Sequence, residues 1–170
     1  MKVTVIANIS INGKVLVSDN PAHQLPKEAM DFYLNYAHRV GNLIIGMKTF
    51  EHFQHFPQVV KDRFMGIELV VLSTHTDKKE TTGYRVVSSP EEAIAHFMAK
   101  GVSEIAIGGG TGTFNAFIDK ELATDLYLNI NPILTGHGGY LVQENKLHTT
   151  FELVAQHLNN GFIQLHLTKV

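Results

Sequence analysis

Short apolar runs and helical periodicities alternate along the first two thirds of the chain. Runs of β-branched or continuously apolar residues predict strands, at residues 3–11, 43–46, 70–74, 104–107 and 126–131. Apolar residues at helical spacing predict the helices between them, at residues 26–40, from 47 onwards, at 90–100 and at 114–118. Strands that alternate with helices favour an α/β fold with a mostly parallel sheet, in which the first strand is central.

The last third of the chain has a different pattern, with strands and no helix. Alternating apolar residues at 151–155 and 163–167 flank Asn160-Gly161, which is the strongest short hairpin signal in the chain. The sequence therefore predicts an antiparallel C-terminal hairpin on a mixed sheet. No repeat or linker divides the chain, so residues 1–170 are expected to form one domain.

Turn and capping residues define where several elements end. Pro26 and Gly41 are typical of the two ends of a helix, and a capping box from Ser89 to Glu92, with proline at the first helical position, begins another. The polar segment from 74 to 84 is expected to be an exposed loop. These signals fix the boundaries of the elements more closely than periodicity does.

The composition excludes several classes of protein. The chain has 170 residues, of which 44% are hydrophobic and 18% charged, a net charge of -2, ten histidines and no cysteine. These values argue against disorder, thiol chemistry and a basic nucleic-acid surface, and no apolar run reaches the roughly 18 residues of a membrane span. Because no carboxylates lie at ligand spacing from the histidines, no metal site is expected. A soluble, cytoplasmic protein without nucleic-acid or membrane partners is expected.

Three strand ends carry small and polar residues where the chain turns. They are Gly46-Met47-Lys48-Thr49, Ser73-Thr74 and the run from Gly108 to Thr113. Ligands of open α/β sheets bind at the carboxyl ends of the strands, where backbone N–H groups and helix N-termini favour anions. Together the three turns indicate a phosphate-rich ligand, although each alone is compatible with a tight turn. The standard dinucleotide motif G-x-G-x-x-G is absent, because residue 113 is threonine.

The order of these motifs resembles the dihydrofolate reductase superfamily. The resemblance rests on Ala7 to Gly13, Leu25-Pro26-x-Glu28, Ile45 to Glu51, Leu72-Ser73-Thr74, Ile107 to Gly110 and Leu126-Tyr127-Leu128. The chain is also similar to the reductase domain of the bifunctional riboflavin-biosynthesis protein, through Ser10 to Lys14, the glycine turn and Asn131 to Gly139. The resemblance covers essentially the whole chain and implies a three-layer fold with helices on both faces of the sheet.

The resemblance implies an NADPH-dependent oxidoreductase and assigns its coenzyme contacts. The adenosine-side phosphates would lie at Gly46, Lys48 and Thr49, and the adenine ribose beside Ser73 and Thr74, with His75 near a 2′-phosphate. The remaining coenzyme contacts would be made by the pyrophosphate turn (Gly109, Gly110, Thr111, Gly112, Thr113) and the nicotinamide-flanking residues (Ala7, Asn8, Val15). By the same resemblance, a homodimer is expected.

On the substrate side, the resemblance points to four residues. Glu28 and Asn8 would be catalytic, with Phe32 and Asn129 binding the substrate, a pterin or a riboflavin-precursor aminopyrimidine. A partly buried Glu28 carboxylate would help to protonate the ring. The alternative is a first-turn glutamate that only interacts with the helix dipole. A catalytically inactive NADP-binding module of the same fold remains the alternative function.

Overall fold

The computed structural model describes residues 1–16, 24–74 and 83–170. The strands are β1 (Lys2–Ser10), β2 (Asn42–Gly46), β3 (Glu68–Leu72), β4 (Tyr84–Val87), β5 (Glu104–Gly109), β6 (Asp125–Asn131), β7 (Phe151–Asn159) and β8 (Phe162–Lys169). The helices are α1 (Lys27–Val40), α2 (Met47–Gln54), α3 (Gln58–Asp62), α4 (Pro90–Ala99) and α5 (Thr111–Ile118). No helix in these described ranges is long and apolar enough to cross a membrane.

The eight strands form one sheet in the order β4-β3-β2-β5-β1-β6-β8-β7. The first six strands in this order are parallel to one another, β8 runs antiparallel to β6, and β7 runs antiparallel to β8. This arrangement confirms the predicted mixed sheet, the central position of β1 and the C-terminal hairpin. Because parallel strands point the same way, the ends of β1, β2, β3, β5 and β6 meet at one edge of the sheet, called the carboxyl edge below.

Helices cover both faces of the sheet, as predicted. Alternate residues of β1 point to opposite faces, so Val5 belongs to one core and Ile6 to the other. Phe97 of α4 and Phe117 of α5 fill the core on the Val5 side. Tyr36 of α1 packs in the core on the Ile6 side.

The helix boundaries agree with their sequence signals. Gly41 ends α1 in the left-handed conformation, with φ of 74°. Ser89 caps α4, because its Oγ accepts a hydrogen bond from the Glu92 backbone N–H at 3.1 Å. The reciprocal bond of the capping box is displaced by one residue, since the Glu92 carboxylate accepts from the backbone N–H of Ser88 at 2.7 Å.

Two short elements were not predicted. β4 pairs with β3 at the edge of the sheet, and α3 follows α2 after Pro57. Both are only four or five residues long, so neither shows a clear period in the sequence. Most of the predicted 74–84 loop, residues 75–82, lies outside the described residues.

Candidate active site

Two helices begin side by side at the carboxyl edge. β2 and β5 are neighbours, and α2 and α5 follow them directly. Each helix has glycine at its N-cap, Gly46 or Gly110, with no hydrogen bond from a capping side chain and no acidic residue in the first turn. Uncapped N-termini present free N–H groups and the positive end of the helix dipole. The pair therefore forms a site with the chemistry that phosphate requires.

Two threonines lie where these helix starts meet. The Thr49 Oγ1 of α2 accepts a hydrogen bond from the Gly110 backbone N–H at 2.9 Å. In return, the Thr113 Oγ1 of α5 lies so close to Gly46 that a Cβ there would be 2.6 Å from it. The predicted turns at 46–49 and 109–113 thus form one continuous cradle, in which Gly46 has no space for a side chain.

The cradle has room for a ligand above α5. A Cβ added at Gly112 would meet no atom within 4 Å. Gly109 has φ of 116°, which only glycine adopts without strain. These features fit the approach of a pyrophosphate to bare backbone, so the residues present suit the coenzyme that the resemblance implies.

The third predicted turn lies next to this cradle. Gly46 pairs with Leu72, so Ser73 and Thr74 are one and two residues beyond the paired end of β3. Ser73 is buried and Thr74 is exposed, whereas His75 lies outside the described residues. Lys48 is exposed in the first turn of α2. The geometry thus gathers all three predicted turns along adjacent strands.

A glycine-rich loop borders the other side of the cradle. A Cβ at Gly139 would be 2.5 Å from Thr111 Cγ2, and the Gly139 carbonyl accepts the backbone N–H of Val15 at 2.9 Å. The side chains of Ala7 and Val15 are buried in the core that holds α5. In a nicotinamide site, these two residues would therefore offer only their backbone groups to the ring, because their side chains belong to the core below it.

Three carboxamides form a row across the neighbouring strands β1, β6 and β8. Asn129 Nδ2 donates to Asn8 Oδ1 at 3.1 Å, and Gln164 Nε2 donates to Asn129 Oδ1 at 2.8 Å. Asn129 is completely buried and Gln164 is nearly so, whereas Asn8 is only half-buried. Asn129, predicted to bind substrate, therefore holds Asn8 in place, and Asn8 is the member of the row that a ligand can reach.

Gln164 was not singled out from the sequence. It occupies a polar position of an alternating strand, between Ile163 and Leu165, which is typical of the solvent face. Its burial depends on the cross-strand partner Asn129, which only the three-dimensional pairing reveals.

Aromatic side chains form the wall beside the amide row. The ring of Phe32 on α1 lies 5.0 Å from that of Tyr127 on β6, and Tyr127 stacks on His166 with centroids 4.2 Å apart. The Tyr33 hydroxyl lies against Gly108, where any Cβ would collide with it. Burial raises the pKa of Tyr33 above its usual range, so its phenol stays neutral. The predicted substrate residue Phe32 thus packs on Tyr127, two residues from Asn129 on the same face of β6.

The structure corrects one expectation about Glu28. The side chain lies in the first turn of α1, as predicted, but it is exposed and not partly buried. The neighbouring Ala29 is buried, so Glu28 lies on the side of the first turn that faces solvent. The catalytic role of Glu28 was predicted for a partly buried carboxylate, and the carboxylate does not have this burial.

The fold is shared with solved structures from three bacteria. A protein of Shewanella sp. PV-4 named for riboflavin biosynthesis is 20% identical, with a TM-score of 0.78 over 100% of this chain and 99% of its own. A pyrimidine reductase-like protein of Corynebacterium diphtheriae is 16% identical, with a TM-score of 0.76 over 99% and 92%.

The third structure is a larger protein of Thermotoga maritima. It is a diaminohydroxyphosphoribosylaminopyrimidine deaminase and 5-amino-6-(5-phosphoribosylamino)uracil reductase, 11% identical, with a TM-score of 0.72. The match covers 99% of this chain and 56% of the Thermotoga chain. No family model matches the sequence, and no curated protein matches it. These likenesses establish the fold that the sequence motifs imply.

Proposed function

We propose that this protein is an NADPH-dependent reductase. It transfers hydride to a pterin or to an aminopyrimidine of the 5-amino-6-(5-phosphoribosylamino)uracil type. The two solved structures that carry "reductase" in their names support the reaction class, since they have the same fold. NADPH, when bound, would supply the hydride, and the chain would supply position and electrostatics.

The observation that carries the proposal is the bond between Thr49 Oγ1 and the Gly110 N–H. It joins two uncapped helix starts into one anion cradle, which suits a pyrophosphate linking two nucleosides. The backbone N–H groups at the start of α5 would bind the pyrophosphate, and Lys48 would neutralise part of the charge. At the ring end, Asn8 would orient the heterocycle beside the nicotinamide.

The experiment compares Thr49→Val with Thr150→Val, an isosteric change at an exposed threonine before β7. Thr49→Val removes the acceptor of the Gly110 N–H, so the Kd for NADPH is expected to rise about tenfold, the equivalent of one hydrogen bond. Thr150→Val should bind as the wild type does. NADPH binding is followed by thermal shift, and turnover by the loss of reduced-nicotinamide absorbance with each substrate class. A wild-type protein that NADPH does not stabilise would overturn the proposal.

A second candidate function is a catalytically inactive NADP-binding module. The exposure of Glu28 favours it, because the carboxylate that was predicted to donate the proton beside the ring is not buried. The two functions differ in one result. A module binds NADPH but consumes none with any pterin, folate or aminopyrimidine, whereas the reductase consumes it with at least one.

A further inference from the structure

The row of carboxamides has a direction. Gln164 Nε2 donates to Asn129 Oδ1, and Asn129 Nδ2 then donates to Asn8 Oδ1. Each carboxamide has one oxygen that accepts and one nitrogen that donates, so the orientation of one member sets that of the next. The orientation of the Gln164 carboxamide therefore determines, through Asn129 on β6, which atom of the Asn8 carboxamide remains free.

The free end of the row is a hydrogen-bond donor. The Asn8 oxygen is occupied by Asn129, while Asn8 Nδ2 makes no hydrogen bond to any residue in the described part of the chain. The backbone of Asn8 is also fixed, since its carbonyl accepts the Leu16 N–H at 2.8 Å. β1 and β5 are paired up to Val5 and Ile107, so Asn8 and Gly110 of the cradle each lie three residues beyond that pair.

We infer that Gln164 is a positioning residue that makes Asn8 present an N–H donor to the substrate ring. The inference rests on the proposed function and narrows its substrate class. The ring must offer an acceptor to Asn8, such as a carbonyl oxygen or an unprotonated ring nitrogen. A ring with an amino group there would place donor against donor, and the Asn8 carboxamide cannot turn by itself without losing its bond from Asn129 Nδ2.

The burial of the row explains why it resists rotation. Asn129 is 0% exposed, and turning its carboxamide while Asn8 and Gln164 keep their orientation would break both of its hydrogen bonds inside the protein. An unpaired buried polar group costs about 1–3 kcal/mol. Asn131 also fixes this stretch of β6, because its Nδ2 donates to the backbone carbonyl of Asn129 at 3.0 Å.

The test uses Gln164→Glu, in which the new carboxylate only accepts. Asn129 must then turn its N–H toward residue 164 and its oxygen toward Asn8, so that Asn8 presents its oxygen to the ligand. The probes are 5,6-diaminouracil and 2,4,5,6-tetraaminopyrimidine, in which amino donors replace both ring carbonyl oxygens. Their Kd values are measured by calorimetry with the full-length protein.

The wild type is expected to bind diaminouracil at least tenfold more tightly than tetraaminopyrimidine, and Gln164→Glu should reduce this ratio about tenfold or more. The matched control is Gln54→Glu, which adds the same charge at the exposed last residue of α2 and should leave the ratio unchanged. Equal weakening of both probes in Gln164→Glu would indicate a merely structural role and overturn the inference. A wild-type preference for tetraaminopyrimidine would overturn it as well.

A second variant keeps the test decisive if Gln164→Glu fails to fold. Asn8→Asp replaces only the terminal amide nitrogen by oxygen and keeps the acceptor for Asn129. It should therefore also reduce the preference for diaminouracil over tetraaminopyrimidine. NADPH binding is measured in parallel. NADPH binding without either pyrimidine overturns the inference and leaves the coenzyme site of the proposed function standing. Diaminouracil binding without NADPH supports the inference and overturns the proposed reductase.

Discussion

Gly46 shows how a single missing methyl group shapes the candidate coenzyme site. A Cβ at this position would lie 2.6 Å from Thr113 Oγ1, and Thr113 is buried in the first turn of α5. Gly46→Ala is therefore expected to push the starts of α2 and α5 apart. The cost should be about 1–3 kcal/mol of unfolding free energy, as for other overpacked sites. Urea denaturation measures it, and NADPH should stabilise the variant less than the wild type.

Gly112→Ala is the matched control for this glycine prediction. Its Cβ would meet nothing within 4 Å, and the residue lies in α5, where alanine is the better helix former. Its stability should equal that of the wild type or exceed it by up to about 1 kcal/mol. Equal stability of the Gly46 and Gly112 variants would contradict the packing argument.

The glycine and threonine turns were predictable because their chemistry is local. A run such as Gly108 to Thr113 needs special backbone angles and precedes a helix, and both facts are visible in the sequence. The amide row was not predictable as a unit, since Asn8, Asn129 and Gln164 are far apart in the chain and meet only through strand pairing. The partial burial of Glu28 was expected from the family resemblance, whereas the exposure of its side chain depends on what packs against the first turn of α1.

At the scale of elements, one ionic network joins β5 to α1 at the end of the sheet opposite the cradle. Glu104 of β5 accepts two hydrogen bonds from the Arg39 guanidinium, at 2.9 and 3.1 Å, and another from the Tyr36 hydroxyl. Lys2 of β1 lies 3.6 Å from the same carboxylate. Burial alone would raise the pKa of Glu104, but the bonds from Arg39 and Tyr36 outweigh it and lower the pKa to about 2.

This network predicts a defined pH dependence of stability. In the folded protein the pKa of Glu104 lies below its ordinary value of 4.5. The ionised Glu104 carboxylate therefore contributes fully to the free energy of unfolding above pH 4.5, and this contribution is lost as the pH falls toward 2. Glu104→Gln should lower the free energy of unfolding by about 1–3 kcal/mol at pH 7. The difference in this free energy between variant and wild type should become smaller between pH 4.5 and 2. Urea midpoints over this range measure it, with Glu144→Gln, at an exposed position between β6 and β7, as the control. A difference that does not change with pH would contradict the assignment.

Most elements were predictable because each carries its own signal. The capping box at Ser89, the glycine after α1 and the Asn160-Gly161 turn all mark boundaries in the sequence itself. β4 and α3 are too short to show a period, and their positions come from tertiary contacts instead. The order of the strands also needs the structure, because β5 inserts between β1 and β2.

At the scale of the whole molecule, the near-neutral charge agrees with a local anion site. The net charge of -2 provides no basic surface, yet two helix N-termini and Lys48 converge on one cradle. Backbone dipoles act within about a helical turn, so they attract a phosphate without making the molecule basic. A polyanionic coenzyme and a slightly acidic chain are therefore compatible.

The outermost strand leaves apolar side chains uncovered. β7 ends the sheet and pairs only with β8 among the described strands, and its Leu153, Val154 and Leu158 are 55%, 54% and 88% exposed. An edge with apolar side chains and unpaired backbone groups is prone to pair with another chain. We propose that two copies associate through β7, the same patch on each, as a homodimer.

Leu158→Lys tests this assembly. A lysine on each β7 would bring like charges together across the two-fold interface, so the variant is expected to be monomeric, with the dimer dissociation constant raised at least a hundredfold. Val59→Lys, on α3 where valine is 71% exposed, adds the same charge away from the edge and should remain dimeric. Analytical ultracentrifugation over a concentration series distinguishes these states. A monomeric wild type, or a Leu158→Lys variant as dimeric as Val59→Lys, would contradict β7 as the interface.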